Sequence, residues 1–332
     1  MPISSLQAAR LVWPADWAAI FGRRAPLLLE IGFGNGAFLL DLARRRLDAN
    51  LIGLEIALPS LRAAEARLVR ASQSNVRLVQ ADAETALRTL IAAQALAAVY
   101  VNFPDPWPKQ AHQRRRLIQP PFLALLASRM AAGSRLEIAT DHEEYALWIA
   151  ACLAASPHFQ PAEHDEQSPK RLPTKYERKG LAAGRDAYLF RRLRNEAAAA
   201  DFPIPLEYPM PHALVAVNLT LEEVQRAFQP QQWRSEGTAA RLVESYLSAR
   251  GRTILFDAYV DEERLAQRPM LAITLRAPGQ FLVYLHESGF PRPTAGLRLA
   301  IGWLAGWLAR LRPGGEISYH NLGEQLGKAA GE

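Results

Sequence analysis

Short apolar runs alternate with helix-like apolar spacing along residues 27–155. The runs at 27–31, 51–55, 76–79, 97–101 and 135–140 predict buried strands. The 3.6-residue spacing between them predicts helices at 37–46, 59–71, 83–93, 114–131 and 143–155. Two more strands are expected within 159–164 and 187–193. Strands that alternate with helices favour an α/β domain whose mostly parallel sheet is covered on both faces.

The pattern changes after residue 195. Alanines and then closely spaced prolines at 196–211 predict a linker between two domains, 1–195 and 212–332. In the second domain, strands are expected at 213–219, 252–260, 270–276 and 280–287, and helices after Thr220 and at 238–249 and 294–312. These elements predict a smaller α+β domain. Its sequence offers no catalytic motif, so an accessory role is expected.

Composition indicates a folded protein with an uneven charge. The chain has 332 residues, 49% hydrophobic and 22% charged, enough for a real core. Residues 1–200 contain 26 basic and 19 acidic side chains, whereas the remainder contains 13 and 14. The excess of positive charge in the first domain points to a polyanionic partner there. A single cysteine, Cys152, in an apolar stretch predicts a buried inert thiol and fits a reducing compartment. The absence of a signal peptide and of a long uncharged apolar run predicts a cytoplasmic protein that does not enter a membrane.

The most specific segment reads Asn-Phe-Pro-Asp-Pro-Trp-Pro-Lys, from residue 102 to 109. Its prolines restrict the backbone, so Asp105 is expected on a stiff loop that follows strand 97–101. Three basic residues, Arg114, Arg115 and Arg116, come shortly afterwards. A carboxylate and an aromatic face beside arginines suit a purine base whose phosphates lie on the basic side. The alternatives are a helix N-cap at Asp105, or a proline-rich turn before a solvated basic helix.

A second motif lies upstream, where a glycine-rich turn separates strand 27–31 from helix 37–46. The glycines are Gly32, Gly34 and Gly36, spaced as GxGxG rather than the GxGxxG of dinucleotide folds. Glu55 ends the next strand, 51–55, and Asp82 follows the strand after it, 76–79. Acidic residues at the carboxyl ends of parallel strands predict a crevice for a ligand rich in hydrogen-bond donors, with Glu55 suited to ribose hydroxyls.

Together these segments resemble the bacterial tRNA guanine-N7 methyltransferases, which use S-adenosylmethionine. The matching stretches cover about residues 25–195 and include LLLEIGFGNGAFLLDLA, IGLEI, QADA, VNFPDPWPK, HQRRRLIQPPFL, IATDHEEYALWI and PTKYERKG. The joint presence of FPDPWPK and TKYE, in the family's order, makes the resemblance specific. It implies a Rossmann-like, S-adenosylmethionine-dependent methyltransferase fold that acts on N7 of guanine 46 in the tRNA variable loop.

The resemblance also implies roles for individual residues. Glu30, Glu55 and Asp82 would contact the cofactor, and Gly32, Gly34 and Gly36 would allow its close approach. Asp105 would hold guanine, and the substrate-binding residues would be Lys109, Asp141, Thr174, Lys175, Tyr176 and Glu177. Many relatives carry more basic residues after the lysine, where Gln110 and Ala111 stand here. This departure shifts the expected phosphate contacts onto Arg114, Arg115 and Arg116. In the second domain, RNA contacts are expected to be local at most, from Arg292 and Arg298.

Several alternatives stay open from the sequence. Thr140 or Asp141 could instead cap the following helix. The architecture also suits another methyltransferase or an NAD-dependent oxidoreductase, although the glycine spacing argues against NAD. A non-enzymatic RNA-binding protein is a further alternative, against which the intact acidic and TKYE positions argue. His112 and His142 lack neighbouring ligand residues, so no metal is expected. Monomer and homodimer are both compatible with the sequence.

Overall fold

The computed structural model describes residues 5–162, 187–235, 237–262, 265–288 and 291–323. The chain divides into two compact units, unit 1 Met1–Ile204 and unit 2 Pro205–Glu332. The predicted linker 196–211 is thus divided between the units. Within the described residues, no helix is both long enough and apolar enough to span a lipid bilayer.

The described part of unit 1 forms one eight-stranded sheet with helices between the strands. Its strands are β1 Leu6–Gln7, β2 Leu27–Ile31, β3 Asn50–Glu55, β4 Val76–Gln80, β5 Leu96–Asn102, β6 Met130–Thr140, β7 Phe159–Pro161 and β8 Tyr188–Arg194. Its α-helices are α1 Trp17–Phe21, α2 Ala37–Arg45, α3 Leu58–Arg70, α4 Ala83–Thr89, α5 Pro120–Arg129 and α6 Glu143–Ala155. The strand order is β1-β4-β3-β2-β5-β6-β8-β7.

The central strands are parallel, and β8 runs antiparallel to both β6 and β7. Successive residues of β2 enter opposite cores, because side chains alternate across a strand. Leu27 and Leu29 pack into one hydrophobic cluster, and Leu28 packs into the other. Both faces of the sheet are therefore covered, and the predicted Rossmann-like α/β fold is confirmed.

The segment predicted as helix 114–131 is two elements. A 3-10 helix occupies Gln110–Arg115, and α5 begins only at Pro120. The two prolines at 120 and 121 explain the break. Proline is accepted in the first helical turn but removes a hydrogen bond and clashes in a helix interior. Gln119, which precedes them, is extended at φ −140° and ψ 160°.

The described part of unit 2 is an antiparallel sheet with two helices, an α+β arrangement as predicted. The strands are β9 His212–Ala216, β10 Gln231–Ser235, β11 Thr238–Leu247, β12 Thr253–Glu262, β13 Leu265–Gln267, β14 Met270–Ala277, β15 Gln280–Leu285 and β16 Glu316–His320. The helices are α7 Leu221–Ala227, which carries a Thr220–Glu223 capping box, and α8 Ala295–Arg310. Trp303 of α8 is 1% exposed and belongs to the core that the helix forms with the sheet.

The predicted helix 238–249 is wrong, because residues Thr238–Leu247 form β11. This strand pairs with β10 on one side and β12 on the other. Ala240 and Leu242 are buried whereas their neighbours Arg241 and Val243 are exposed, which is the two-residue period of a half-buried strand. The helix-forming residues of this segment are overridden by backbone pairing and by burial of one face.

The arginines suggested for RNA contacts in unit 2 are engaged within the unit. Arg292 forms a two-pronged ion pair with Glu207. The Arg298 guanidinium lies 4.5 Å from the centre of the Tyr208 ring and donates to the Asn321 carbonyl. These contacts stabilise the fold of unit 2, and the local RNA contacts stay a prediction.

Candidate active site

A cavity of about 520 Å³ opens at the carboxyl edge of the parallel sheet. It lies beside β2, which has β3 on one side and β5 on the other. At this point the order of strands in the sheet reverses, which is the usual ligand position in open α/β sheets. Seven of the predicted site residues line this one cavity: Glu30, Gly32, Gly34, Glu55, Asp82, Asp105 and Arg115. Its volume is within the range of small-molecule sites.

Two glutamates at the base of the cavity are held in fixed orientations. Glu55, at the end of β3, accepts hydrogen bonds from the amides of Gly34, Ile56 and Ala57 at 3.0, 2.9 and 3.0 Å. Glu30 is only 2% exposed, and its Oε1 accepts from Asn102 Nδ2 at 3.0 Å. Carboxylates oriented by the fold are ready to accept hydrogen bonds from ligand hydroxyl or amino groups.

The glycines after β2 do not share one role. Gly34 has φ +55°, and a Cβ added there would meet no described atom within 4 Å, so its backbone faces open cavity space. Gly36 has φ +71°, and a Cβ there would stand 2.6 Å from the Ala64 Cβ. Gly36 is also not among the described residues that line the cavity. Its structural role is therefore the left-handed start of α2 and the close packing of α2 on α3, rather than the predicted approach to a cofactor.

Asp82 has two roles. It lines the cavity, and its Oδ1 accepts from the Thr85 amide at 2.8 Å as the N-cap of α4. An N-cap aspartate uses one oxygen for the helix and keeps the other for a ligand.

The loop 102–109 carries Asp105 to the cavity rim on a constrained backbone. Phe103 and Trp107 have φ of +53° and +43°, in the left-handed region that non-glycine residues seldom adopt. Each such residue costs on the order of 1–3 kcal/mol and persists only where the surroundings hold it. Asp105 is exposed and lines the cavity together with Trp107. The loop therefore presents a carboxylate to solvent at the opening of the cavity.

The three arginines differ in their environments. Arg114 and Arg115 are exposed, and the Arg115 guanidinium lies 5.0 Å from the centre of the Trp107 ring. Arg116 is 2% exposed; it donates from Nε to the Pro106 carbonyl oxygen at 2.8 Å and from Nη2 to Glu144 Oε1 at 2.7 Å. A phosphate contact needs an accessible guanidinium, so the predicted phosphate contact is corrected for Arg116. It stays a prediction for Arg114 and Arg115.

Two further predicted substrate residues, Lys109 and Asp141, do not line the cavity. Lys109 is exposed before the 3-10 helix, and Asp141 follows β6; neither is among the described residues that line the cavity. The cap of α6 is neither Thr140 nor Asp141, because His142 Nδ1 accepts from the Tyr145 amide at 3.3 Å. Thr174, Lys175, Tyr176 and Glu177 lie outside the described residues.

The cysteine of the chain is buried, and the described residues offer no metal site. Cys152 is 8% exposed, and burial raises the pKa of its thiol, which confirms the predicted unreactive thiol. The described residues contain no group of three or more histidine, cysteine or acidic side chains placed to bind a metal ion.

Some contributing residues carried no signal in the sequence. Glu144, Tyr145 and Trp148 of α6 contact Arg116, although they are distant from it along the chain. Asn102 could have been found, because a polar residue that ends an apolar strand at a ligand-binding edge is a candidate for a site.

The chain is similar in sequence to known methyltransferases. Residues 24–190 match the model of a family described as "Putative methyltransferase". The tRNA (guanine-N(7)-)-methyltransferase of Bordetella pertussis is 43% identical over 184 residues, which cover 54% of this chain and 72% of the relative. The enzyme of the same name from Thermus thermophilus is 37% identical over 288 residues and covers 85% of this chain and 88% of its own length.

The protein belongs to the tRNA (guanine-N(7)-)-methyltransferase family. The predicted family and enzyme class are thereby confirmed, and S-adenosylmethionine is the cofactor, as predicted. The Thermotoga maritima member is 35% identical over 212 residues, 64% of this chain and 68% of its own. The match with the Thermus member covers 85% of this chain, which is more than unit 1, Met1–Ile204, contains. The similarity therefore extends into unit 2.

Proposed function

We propose that the protein transfers a methyl group from S-adenosylmethionine to N7 of guanine 46 in the tRNA variable loop. One observation carries the proposal. A single cavity joins the oriented acids and open glycine backbone suited to an adenosyl ligand with Asp105 on its strained loop at the rim. Family membership supports the choice of methyl transfer to guanine over hydride transfer with NAD.

The residues of the cavity fit the cofactor. Glu55 would accept hydrogen bonds from the ribose hydroxyls, since both of its oxygens are already oriented by backbone amides. Asp82 would use its oxygen that is not engaged in capping α4, and buried Glu30 would take a donor at the base of the cavity. At Gly32 and Gly34 no described atom occupies the space that a Cβ would fill, so a ligand can contact the backbone there.

The reaction requires little proton chemistry from the protein. S-adenosylmethionine, when bound, supplies an electrophilic methyl group on sulfur. Guanine N7 bears a free lone pair and no proton, so no general base is needed to create the nucleophile. The protein must bring N7 in line with the methyl group and exclude water, and such positioning supplies most of the rate increase.

Asp105 is the residue proposed to hold guanine. One carboxylate accepts hydrogen bonds from guanine N1–H and N2–H₂ together, which orients the base. Methyl transfer leaves a positive charge on the guanine ring, and a nearby carboxylate stabilises the transition state in which this charge develops. The location of Asp105 at the cavity rim supports both roles.

The exposed basic residues beside this loop would bind the tRNA backbone. Arg114 and Arg115 are accessible for phosphate contacts, and the positive excess of residues 1–200 favours binding of RNA to this part of the chain. Lys109, Asp141 and the segment Thr174–Glu177 are proposed to contact the substrate as well. A tRNA substrate and a lone buried cysteine support the predicted cytoplasmic location.

Residues 212–332 are proposed to be an accessory module. Unit 2 has its own hydrophobic core, and the sequence after residue 200 carries no basic excess. A compact unit with its own core is able to fold alone. The match with the Thermus relative supports a module that accompanies the methyltransferase in other members of the family.

The decisive test is nucleoside analysis of unmodified tRNA after incubation with the protein and methyl-labelled S-adenosylmethionine. We expect the label in 7-methylguanosine, and strand cleavage at the modified base should locate it at position 46. The matched control is the same tRNA with adenine at position 46, which should acquire no label. Label on another atom would contradict the reaction, whereas 7-methylguanosine elsewhere in the tRNA would contradict only the position.

A further inference from the structure

Arg116 connects helix α6 to the loop that carries Asp105. Its guanidinium donates from Nε to the carbonyl oxygen of Pro106, the residue after Asp105, and from Nη2 to Glu144. It also lies 5.2 Å from the ring centres of Tyr145 and Trp148. One buried cation thus links three side chains of one helix to a single backbone group of the loop.

The segment that follows Arg116 is attached to the same helix. The Ile118 amide donates to Tyr145 Oη at 3.2 Å, and Trp148 Nε1 donates to the Ile118 carbonyl at 2.7 Å. These contacts fix the backbone on which Arg116 stands. Helix α6 therefore holds both the Arg116 guanidinium and the backbone two residues after Arg116.

The loop needs such a support. Pro106, whose carbonyl accepts from Arg116, lies directly before Trp107, one of the two loop residues at positive φ. A strained backbone relaxes unless its surroundings hold it. Asp105 itself is exposed, and the side-chain contacts that the structure shows at this part of the loop are those of Arg116 to Pro106 and of Arg115 and His112 to Trp107.

We propose that Arg116 is a positioning residue for methyl transfer, which sets the place of the Asp105 carboxylate by holding the Pro106 carbonyl against α6. The inference rests on the proposed role of Asp105 in binding guanine. Loss of the clamp would let the loop shift, and a displacement of about 1 Å in a reacting group costs on the order of 10²-fold in rate.

Arginine is required at this position because of its geometry. A planar guanidinium donates in two directions at once and stacks on aromatic rings, whereas a lysine ammonium is a compact charge on a flexible stem. Arg116→Lys therefore retains the charge but loses the simultaneous contacts to Pro106 and Glu144. This substitution separates positioning from phosphate binding, because a residue that binds phosphate by charge tolerates lysine.

The test uses the full chain and compares wild type with Arg116→Lys, Arg116→Gln and the exposed neighbour Arg114→Gln as the matched control. Three quantities are measured: the affinity for S-adenosylmethionine, the salt dependence of tRNA binding, and the single-turnover rate with both substrates saturating. For both Arg116 variants we expect a rate about 10- to 100-fold lower, with cofactor affinity and salt dependence as in wild type. Arg114→Gln should instead flatten the salt dependence by about one unit of slope.

Each other outcome is decisive. A wild-type rate in Arg116→Lys would overturn the positioning role. A salt dependence flattened in Arg116→Gln as in Arg114→Gln would restore the phosphate contact and also overturn it. Cofactor affinity that falls in parallel with the rate would also overturn the positioning role, because it would show damage to the whole domain rather than to the loop. If wild type itself forms no 7-methylguanosine, the proposed function is refuted and the inference with it. The wild-type reaction thus distinguishes this failure from a failure of the positioning role alone.

Discussion

The Gly34 amide donates a hydrogen bond of 3.0 Å to Glu55 Oε2, which ties the glycine turn after β2 to the end of β3. The other oxygen of Glu55 accepts from Ile56 and Ala57. The cofactor cavity is thus organised by the protein's own backbone before any ligand enters. A ligand that binds an already oriented carboxylate loses less free energy in ordering the site.

Two substitutions at Asp82 separate its role as the N-cap of α4 from its proposed contact with the cofactor. Asp82→Ala should destabilise the protein by about 0.5–2 kcal/mol, because α4 loses its N-cap, and should weaken S-adenosylmethionine binding. Asp82→Asn should restore most of the stability, since asparagine caps helices as well as aspartate does, but not the affinity. Urea unfolding and cofactor titration measure the two effects. Full recovery of affinity in the asparagine variant would show that Asp82 serves the helix alone.

Asp105→Asn should retain cofactor affinity and lose at least about 10²-fold in turnover. An amide accepts through one atom only and carries no charge to balance the methylated guanine ring. The measurement is the methylation rate at saturating tRNA, with cofactor titration on the same preparation. If Asp105→Asn and Asp82→Ala weaken cofactor binding to the same extent, the division of roles between base and cofactor is wrong.

The parts of the fold that were predictable are those in which local pattern and tertiary environment agree. Strand β2, fully buried in a parallel sheet, reads as an apolar run, and the structure has it at the predicted residues 27–31. Strand β11 was not predictable, because residues such as Ala239, Ala240 and Leu242 favour a helix by propensity. Its conformation depends on pairing with β10 and β12, which are formed by other parts of the chain.

The candidate site also has parts that the sequence predicted and parts that it did not. Glu30, Glu55, Asp82 and Asp105 could be placed together because the carboxyl ends of parallel strands share one edge of the sheet. The sequence did not distinguish Arg116 from Arg114 and Arg115, since a run of identical residues carries no sign of which side chain turns inward. Burial of Arg116 depends on α6, whose contacts to it span about 28 positions of the chain.

Arg114 and Arg115 should account for the phosphate contacts of the arginine cluster. Replacing both by glutamine should weaken binding to any tRNA and flatten the dependence of log K on log salt by up to about two units, because each phosphate contact releases counterions. The measurement is tRNA affinity across a salt series, with an unrelated tRNA as the control for sequence independence. An unchanged slope would place the RNA backbone on another surface.

Glu144 should make stability sensitive to acid. The hydrogen bond from Arg116, aided by its charge, lowers the pKa of the Glu144 carboxyl from its usual 4.5. A carboxyl with a lowered folded-state pKa stabilises the protein at neutral pH, and this contribution is lost as pH falls below 4.5 through the folded-state pKa. Urea midpoints of wild type and Glu144→Gln should therefore differ at neutral pH and converge in acid. A constant difference across the pH series would show that the charge of Glu144 contributes nothing.

The end of unit 1 gives the last prediction, which concerns chains cut before unit 2. Beyond the predicted boundary at residue 195, the backbone still accepts hydrogen bonds from two buried arginines. Arg129 Nη2 donates to the Phe202 carbonyl at 2.6 Å, and Arg194 Nη2 donates to the Ala197 carbonyl at 2.7 Å. The Arg88 guanidinium also lies 5.4 Å from the centre of the Phe202 ring.

A chain that ends at Ile204 should therefore fold and bind S-adenosylmethionine as the full chain does. A chain that ends at Arg194 should be less stable by at least about 3 kcal/mol, because the hydrogen bonds of Arg129 to Phe202 and of Arg194 to Asn195 and Ala197 are all lost. Phe202→Ala in the longer chain is the matched control, since it removes the ring but keeps the carbonyl, and should cost less than the truncation. Equal urea midpoints for the two chains would show that residues 195–204 contribute nothing to unit 1.

The chain that ends at Ile204 should also methylate tRNA, with weaker affinity for the tRNA than the full chain has. If it binds the cofactor normally but shows no activity on saturating tRNA, unit 2 belongs to the active enzyme and is not an accessory module.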